Sequence, residues 1–121
     1  MRIIRRREFN CTCGDPKCTA PHMSMGLWYK LNRAAIAAGV SDVIGVRCGS
    51  RCSAINESFG GSVDSPHMDG NAADINIANL TNDQKVRFVH ALARLRIPEL
   101  GARPGFIHIG NKCKTYNGGI R

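Results

Sequence analysis

The sequence predicts a single α+β domain over residues 1–121, with a small antiparallel sheet flanked by helices. Two patterns predict this fold class. Short segments rich in β-branched residues are bounded by glycine, asparagine or proline, and two longer segments repeat apolar residues at helical spacing. A chain of 121 residues can bury a core but is too short for a comfortable second domain. Any active site must therefore lie on one compact scaffold.

The first helix is expected from about Ser24 to Ala38. Ser24 can cap its beginning, and Gly39 is suited to end it. Trp28 and Tyr29 are interpreted as core and rim packing rather than as ligand contacts. The apolar residues at helical spacing are Leu27, Leu31, Ala34 and Ala38.

Three strands are predicted at Asp42–Val46, Ala72–Ile77 and Gly105–Gly110, each short and rich in β-branched residues. Between the second and third strands, the capping-box pattern of Thr81–Gln84 begins a helix that Pro98 ends. Its apolar face consists of Phe88, Leu92 and Leu95.

The composition makes the chain strongly basic, with a formal net charge of +8 and a pI near 9.6. Such a surface attracts polyanions, which include nucleic acid, anionic lipid and acidic cell-wall polymer. Arg5–Arg7 is interpreted as a solvated edge. No recognition helix or basic stripe interleaved with aromatic residues appears, so a specific nucleic-acid partner is not expected. Salt-sensitive DNA binding that survives chelation would revive that alternative.

No transmembrane segment and no secretion signal are predicted. The chain has no run near the roughly 20 apolar residues needed to span a bilayer, and its opening segment lacks the apolar core of a signal peptide. We therefore expect synthesis in the cytoplasm, with delivery elsewhere left to a partner that opens the membrane.

Residues 1–21 are expected to form an irregular, cysteine-bearing N-terminal cap, in which CGDP marks a turn. The spacings of the cysteines differ from the paired CxxC of a zinc ribbon, so disulfides or reduced thiols are favoured over a thiolate zinc site. A bond from Cys52 to the cap would brace the neighbouring Arg51. The six cysteines are Cys11, Cys13, Cys18, Cys48, Cys52 and Cys113.

The segment DSPHMDGNAADINI combines two potential metal ligands, His67 and Asp74, with small residues that allow a close approach. His108, in the predicted strand GFIHIG, is the natural third ligand, and two imidazoles with one carboxylate suit zinc. By composition alone, ordinary hydrogen-bonded polar side chains remain the alternative. His22 and His90 are assigned to that ordinary class.

The residues around this motif carry a family resemblance. Cys48 to Ile75, CGSRCSAINESFGGSVDSPHMDGNAADI, resembles the zinc peptidoglycan peptidases that include D-Ala-D-Ala carboxypeptidases and phage L-alanyl-D-glutamate endopeptidases. REFNCTC upstream and GFIHIG downstream extend the resemblance from about Glu8 to Gly110. The matching positions are Gly49, Arg51, Asn56, Gly60, Gly61, Ser65, His67, Gly70, Ala73 and Asp74.

The resemblance implies a D,D-peptidase-like or Hedgehog-like fold and a zinc site. It carries the metal ligands over to His67, Asp74 and His108. Arg51 would hold the substrate carboxylate or the oxyanion of the tetrahedral intermediate, as a guanidinium can. Ser65 would either hydrogen-bond substrate or hold the turn.

The general base is the element that departs from the family. Relatives carry an acid three residues before or two residues after the last zinc histidine, whereas this chain has Gly105 and Gly110 there. Asp64, Asp69 and Glu99 are the other acids close in sequence to the motif, and Glu99 is named as the candidate base.

The function that the resemblance implies is zinc-dependent hydrolysis of peptide bonds in the stem peptides of bacterial peptidoglycan. The enzyme would act as a monomer at the bacterial cell wall, as a phage or prophage lysis enzyme or a tail-associated hydrolase. Carboxypeptidase and endopeptidase activity both stay open. The alternative is a non-catalytic wall-binding or assembly module that retains a structural zinc.

Overall fold

The computed structural model describes residues 4–18, 20–61 and 65–110. Three α-helices and four strands are present in these residues, together with 3-10 helices at Arg6–Phe9 and Pro66–Asp69. In chain order they are α1 (Met25–Ala37), β1 (Val46–Cys48), α2 (Ser53–Ser58), β2 (Ala72–Asn76), α3 (Asn82–Arg94), β3 (Glu99–Arg103) and β4 (Phe106–Gly110).

The strands form one antiparallel sheet in the order β1-β2-β4-β3, which confirms the predicted α+β class. Because side chains alternate between the two faces of a strand, Ala73 and Ile75 on β2 face the core together with Ile107 and Ile109 on β4. These four residues belong to the same apolar cluster as buried residues of α1 and α3. The opposite face of the sheet does not contribute to this apolar cluster, and it can therefore carry polar side chains.

Both long helices begin as predicted. The Ser24 hydroxyl accepts a hydrogen bond from the Leu27 N–H at 3.3 Å, and α1 ends before Gly39, whose φ is 76°. Thr81 and Gln84 form a reciprocal capping box at the start of α3, with bonds of 2.9 and 3.1 Å. Trp28 packs against the core as expected, whereas Tyr29 is exposed.

The strand predicted over Asp42–Val46 is wrong in its bounds, because β1 spans only Val46–Cys48. Val46 pairs with Ile75, one residue before the end of β2, so the residues ahead of Val46 have almost no partner strand. Ile44 still reaches the core from the loop. Its apolar character reflects burial rather than strand pairing.

Strand β3 was not predicted. Glu99–Arg103 contains a glycine and shows no clear alternation, and Leu100 is partly exposed, since β3 lies at the edge of the sheet. The predicted strands that became β2 and β4 are confirmed to within one residue.

The N-terminal segment is less peripheral than the predicted cap. Ile4 and Phe9 are fully buried in the core, and the Trp28 indole N–H donates to the Ile4 carbonyl oxygen at 2.7 Å.

In the described part of the chain, no helix combines the length and apolar character needed to cross a bilayer.

Candidate metal centre

A row of residues crosses the polar face of the sheet. Asp74 of β2 lies directly opposite His108 of β4, and the outer positions of the row are Cys48 on β1 and Gly101 on β3. Opposed residues in an antiparallel pair project to the same face with their Cβ atoms close together. The strand register therefore brings together a carboxylate and an imidazole whose residues lie 34 positions apart in the chain.

His67 reaches this row from the 3-10 helix Pro66–Asp69. Ser65 caps that helix, and its hydroxyl accepts a hydrogen bond from the His67 N–H at 3.3 Å. The helix ends at Gly70, whose φ of 71° suits glycine, and a Cβ there would overlap the His22 carbonyl oxygen. The small residues of the motif thus turn the chain so that His67 folds back over β2.

The three predicted ligands converge. The Asp74 Oδ1 lies 2.9 Å from the Nδ1 of His108 and 3.6 Å from the Nε2 of His67. The two imidazole rings are 5.2 Å apart between centroids. One candidate donor atom from each residue lies within 4.8 Å of the other two, so the group can hold a metal ion.

The hydrogen bonding of His67 suits a metal ligand. Its Nδ1 lies 2.7 Å from the Gly49 carbonyl oxygen, which can only accept, so this nitrogen carries the proton. The Nε2, which faces Asp74, is then the nitrogen that can bind a metal ion after it loses its own proton. A backbone carbonyl that fixes the ring in this tautomer is a common support for zinc-binding histidines.

The electrostatics of the group favour a cation. Burial alone would lower the pKa of His67, but hydrogen bonds with Asp74 and Cys48 raise it to about 9. Burial opposes the ionisation of Asp74, yet hydrogen bonds from His108 and His67 hold the pKa of that carboxyl far below its usual range. Without metal at neutral pH, Asp74 therefore carries a negative charge, and His67 carries a second proton on its Nε2. A divalent ion can replace that proton.

Arg51 is held beside the group by several contacts. Its Nε donates to the Cys48 sulfur at 3.2 Å, its Nη1 donates to the Asn56 Oδ1 at 3.3 Å, and its Nη2 lies 3.9 Å from the Asp74 Oδ2. The guanidinium carbon also lies 5.0 Å from the ring centroid of Phe59. The Arg51 backbone N–H donates to the His67 carbonyl oxygen at 3.0 Å, which ties the two residues together.

Arg51 and the three candidate metal ligands line an open cleft of about 350 Å³. Ser65 also lines the cleft, and its hydroxyl holds the turn by accepting the hydrogen bond from the His67 N–H. Sequence reasoning missed Phe106 and Arg103, which line the cleft from the β3–β4 hairpin. Phe106 lies two residues before His108, so the two-residue period of a strand could have assigned it to the same face.

Glu99 approaches the cluster from β3. Its Oε1 lies 3.3 Å from the Nε2 of His108, so this ring lies between two carboxylates. Glu99 pairs directly with Gly110, and a Cβ at Gly110 would overlap the Glu99 carboxylate. The missing side chain at Gly110 therefore leaves room for an acid from the neighbouring strand.

The other predicted residues lie elsewhere. Asp69 is exposed, and Asp64 and Cys113 fall outside the described residues. His22 and His90 are both exposed and do not join the metal group.

A larger groove of about 540 Å³ adjoins α1 and α3, but its lining offers arginines and His90 rather than a set of metal donors.

Two histidines and an aspartate that can hold a metal ion, in an open cleft beside a fixed arginine, form the kind of site that is typical of metal-dependent hydrolases. A family model described as Peptidase M15 matches residues 4–110, and the chain belongs to this metallopeptidase family, whose members are zinc-dependent. Searches of curated proteins and of solved structures gave no significant match. The expected likeness to the Hedgehog and D,D-peptidase fold therefore stays a prediction.

Proposed function

We propose that this peptidase hydrolyses peptide bonds in the stem peptides of bacterial peptidoglycan, as a D,D-carboxypeptidase or an L-alanyl-D-glutamate endopeptidase. The observation that carries the proposal is the convergence of His67, Asp74 and His108 within 4.8 Å of one another in an open cleft beside Arg51. The Nε2 of His67, a carboxylate oxygen of Asp74 and a ring nitrogen of His108 would hold the zinc ion. When bound there, it would lower the pKa of a water molecule and polarise the carbonyl oxygen of the substrate.

Arg51 binds the negative charge of the substrate in this proposal. Its side chain is only 13% exposed and is already held by Cys48 and Asn56, so little ordering is needed when an anion binds. A guanidinium suits both the carboxylate of a stem peptide and the oxyanion that develops during amide hydrolysis. Arg103 at the same cleft adds a second positive charge.

Glu99 serves as the general base. Its Oε1 can accept a hydrogen bond from the Nε2 of His108, which leaves its second oxygen to take the proton of the attacking water. The same carboxyl group then returns the proton to the leaving amine. Glu99 thereby performs the role that relatives give to acids at the positions of Gly105 and Gly110.

The site of action is the bacterial cell wall, where the enzyme works as a monomer in phage or prophage lysis or as part of a phage tail. The net charge of +8 supports this proposal, because a basic surface is attracted to anionic wall material. The second candidate function is a non-catalytic wall-binding or assembly module that keeps zinc for stability. The glycines at positions 105 and 110 favour it, since the acids of relatives are missing there.

Digestion of purified peptidoglycan tests both candidates. The zinc-loaded protein is expected to release soluble products, which mass spectrometry identifies as free D-alanine or as peptides cut after L-alanine. Chelation should stop the release, and added zinc should restore it. Pelleting with peptidoglycan without any released product, in protein shown to contain zinc, would instead support the binding module.

Arg51→Lys is expected to lower kcat/KM by about 10²- to 10³-fold, because an ammonium group cannot reproduce the planar fork of donors. Zinc content should stay unchanged, since Arg51 is not a metal ligand. Arg87→Lys is the matched control, since Arg87 is an exposed residue of α3 paired with Asp83. Equal kcat/KM values for the two variants would remove Arg51 from the mechanism.

A further inference from the structure

Four of the cysteines form a second cluster away from the histidines. Cys11, Cys13 and Cys18 come from the N-terminal segment, and Cys52 immediately precedes α2. Their sulfur atoms all lie within 4.8 Å of one another, and all four residues are half-buried. The five cysteines that the structure describes carry no disulfide, and the predicted bond from Cys52 to the cap is not formed.

The arrangement of these sulfurs suits one tetrahedral ion. A Zn–S bond of about 2.3 Å places the sulfurs of a four-thiolate site about 3.8 Å apart along every edge of the tetrahedron. Disulfides would require each sulfur to approach one partner, whereas here each sulfur is close to three. Four thiolates without an open position form the usual closed structural zinc site.

Backbone N–H groups donate hydrogen bonds to three of the four sulfurs, which independently supports a metal site. The N–H of Asp15 donates to the Cys13 sulfur, that of Ala20 to the Cys18 sulfur, and that of Cys52 to the Cys11 sulfur, each at 3.4 Å. Such hydrogen bonds stabilise negative charge on sulfur and orient metal ligands from the second coordination shell. These hydrogen bonds hold three of the four sulfurs in fixed positions before an ion binds.

We infer that Cys11, Cys13, Cys18 and Cys52 bind a structural zinc ion, separate from the histidine-aspartate centre. Binding converts four thiols and one Zn²⁺ into a tetrathiolate complex and releases four protons, with no change of oxidation state. The net charge of +8 on the chain helps to compensate the two negative charges of that complex.

The second ion would join two segments that shape the cleft. Cys52 follows Arg51 directly, and Cys11 lies two residues after Phe9, whose carbonyl oxygen accepts the Ser50 N–H at 2.6 Å. The loop between Cys48 and Cys52 also supplies the Gly49 carbonyl that orients His67. A zinc ion at the cysteines therefore positions the loop that carries Arg51, without touching substrate.

Metal counting on the intact chain, purified under reducing conditions with zinc, tests the inference. Elemental analysis should find two zinc ions per wild-type chain and one in a His67→Ala/His108→Ala variant. X-ray absorption of that variant should show four sulfur neighbours at about 2.3 Å, and cobalt substitution should give a thiolate charge-transfer band. This measurement leaves the cysteines intact, so it does not depend on a cysteine variant folding.

Cysteine variants give the complementary result. Cys13→Ser/Cys18→Ser should lose the charge-transfer band and one zinc, whereas Cys48→Ser, the matched control outside the cluster, should keep the band. Disulfides in non-reduced peptides, free thiols without metal, or iron in place of zinc would each overturn the inference. Because the histidine variant is inactive under the proposed function yet should keep this zinc, the two proposals can fail separately.

Discussion

His108→Ala is expected to abolish the release of peptidoglycan fragments and to remove the zinc ion from the histidine-aspartate site. His108 lies 2.9 Å from Asp74, on the strand register that forms the site, and catalytic zinc usually needs three protein ligands. The side chain is 27% exposed, so its removal should leave a smaller packing defect than removal of the buried His67. Fragment release and zinc content, measured on the same preparation, check the result.

The matched control is His90→Ala, which removes an exposed histidine from α3. Zinc should raise the melting temperature of the wild type and of the control, because an ion that binds only the folded state stabilises it. In His108→Ala, the part of that increase due to the histidine-aspartate site should disappear. Undiminished hydrolysis by His108→Ala would exclude the proposed zinc centre.

Glu99→Gln is expected to lower kcat by about 10²- to 10⁴-fold while the zinc content stays at the wild-type level. A glutamine can still accept a hydrogen bond from the Nε2 of His108, but it cannot take up a proton. The substitution therefore separates a base from a residue that only orients the histidine. Steady-state hydrolysis of a soluble stem peptide, with zinc measured in parallel, checks the result.

Two further variants sharpen this test. Glu99→Ala should regain part of its rate when formate is added, because a small carboxylate can act in the space that the side chain leaves. Gly110→Ala should also slow hydrolysis, since its Cβ would overlap the Glu99 carboxylate. Glu57→Gln, an exposed change on α2, is the control. A Glu99→Gln enzyme with wild-type kcat would leave Glu99 as a partner of His108 and nothing more.

The sequence predicted the parts of the fold that depend on local patterns. Ser24 and Thr81 were recognised as helix caps because a cap is a hydrogen bond within four residues of chain. Strand β3 was missed because an edge strand with a central glycine has a weak alternation of apolar and polar residues. The beginning of β1 was misplaced because apolar residues can be buried from a loop as well as from a strand, as Ile44 shows.

The two clusters differ in how far the sequence could reveal them. For His67, Asp74 and His108, the chemistry of the side chains together with a family motif is enough to predict a zinc site from the sequence. For the cysteines, the sequence favours disulfides or free thiols over a zinc site, since the spacings CxC and CxxxC differ from the paired CxxC of a zinc ribbon. The fourth member of the cysteine cluster, Cys52, lies 34 residues beyond Cys18, and no spacing rule connects it to the others.

The sequence by itself determined the two long helices α1 and α3, the strands β2 and β4 and the identity of the three candidate zinc ligands, because each of these is encoded in a short stretch of residue types. Only the tertiary structure decided that Glu99 lies against His108 and that Cys52 joins the N-terminal cysteines. Both contacts depend on which strands and loops become neighbours, and the burial of apolar surface by the whole chain determines that.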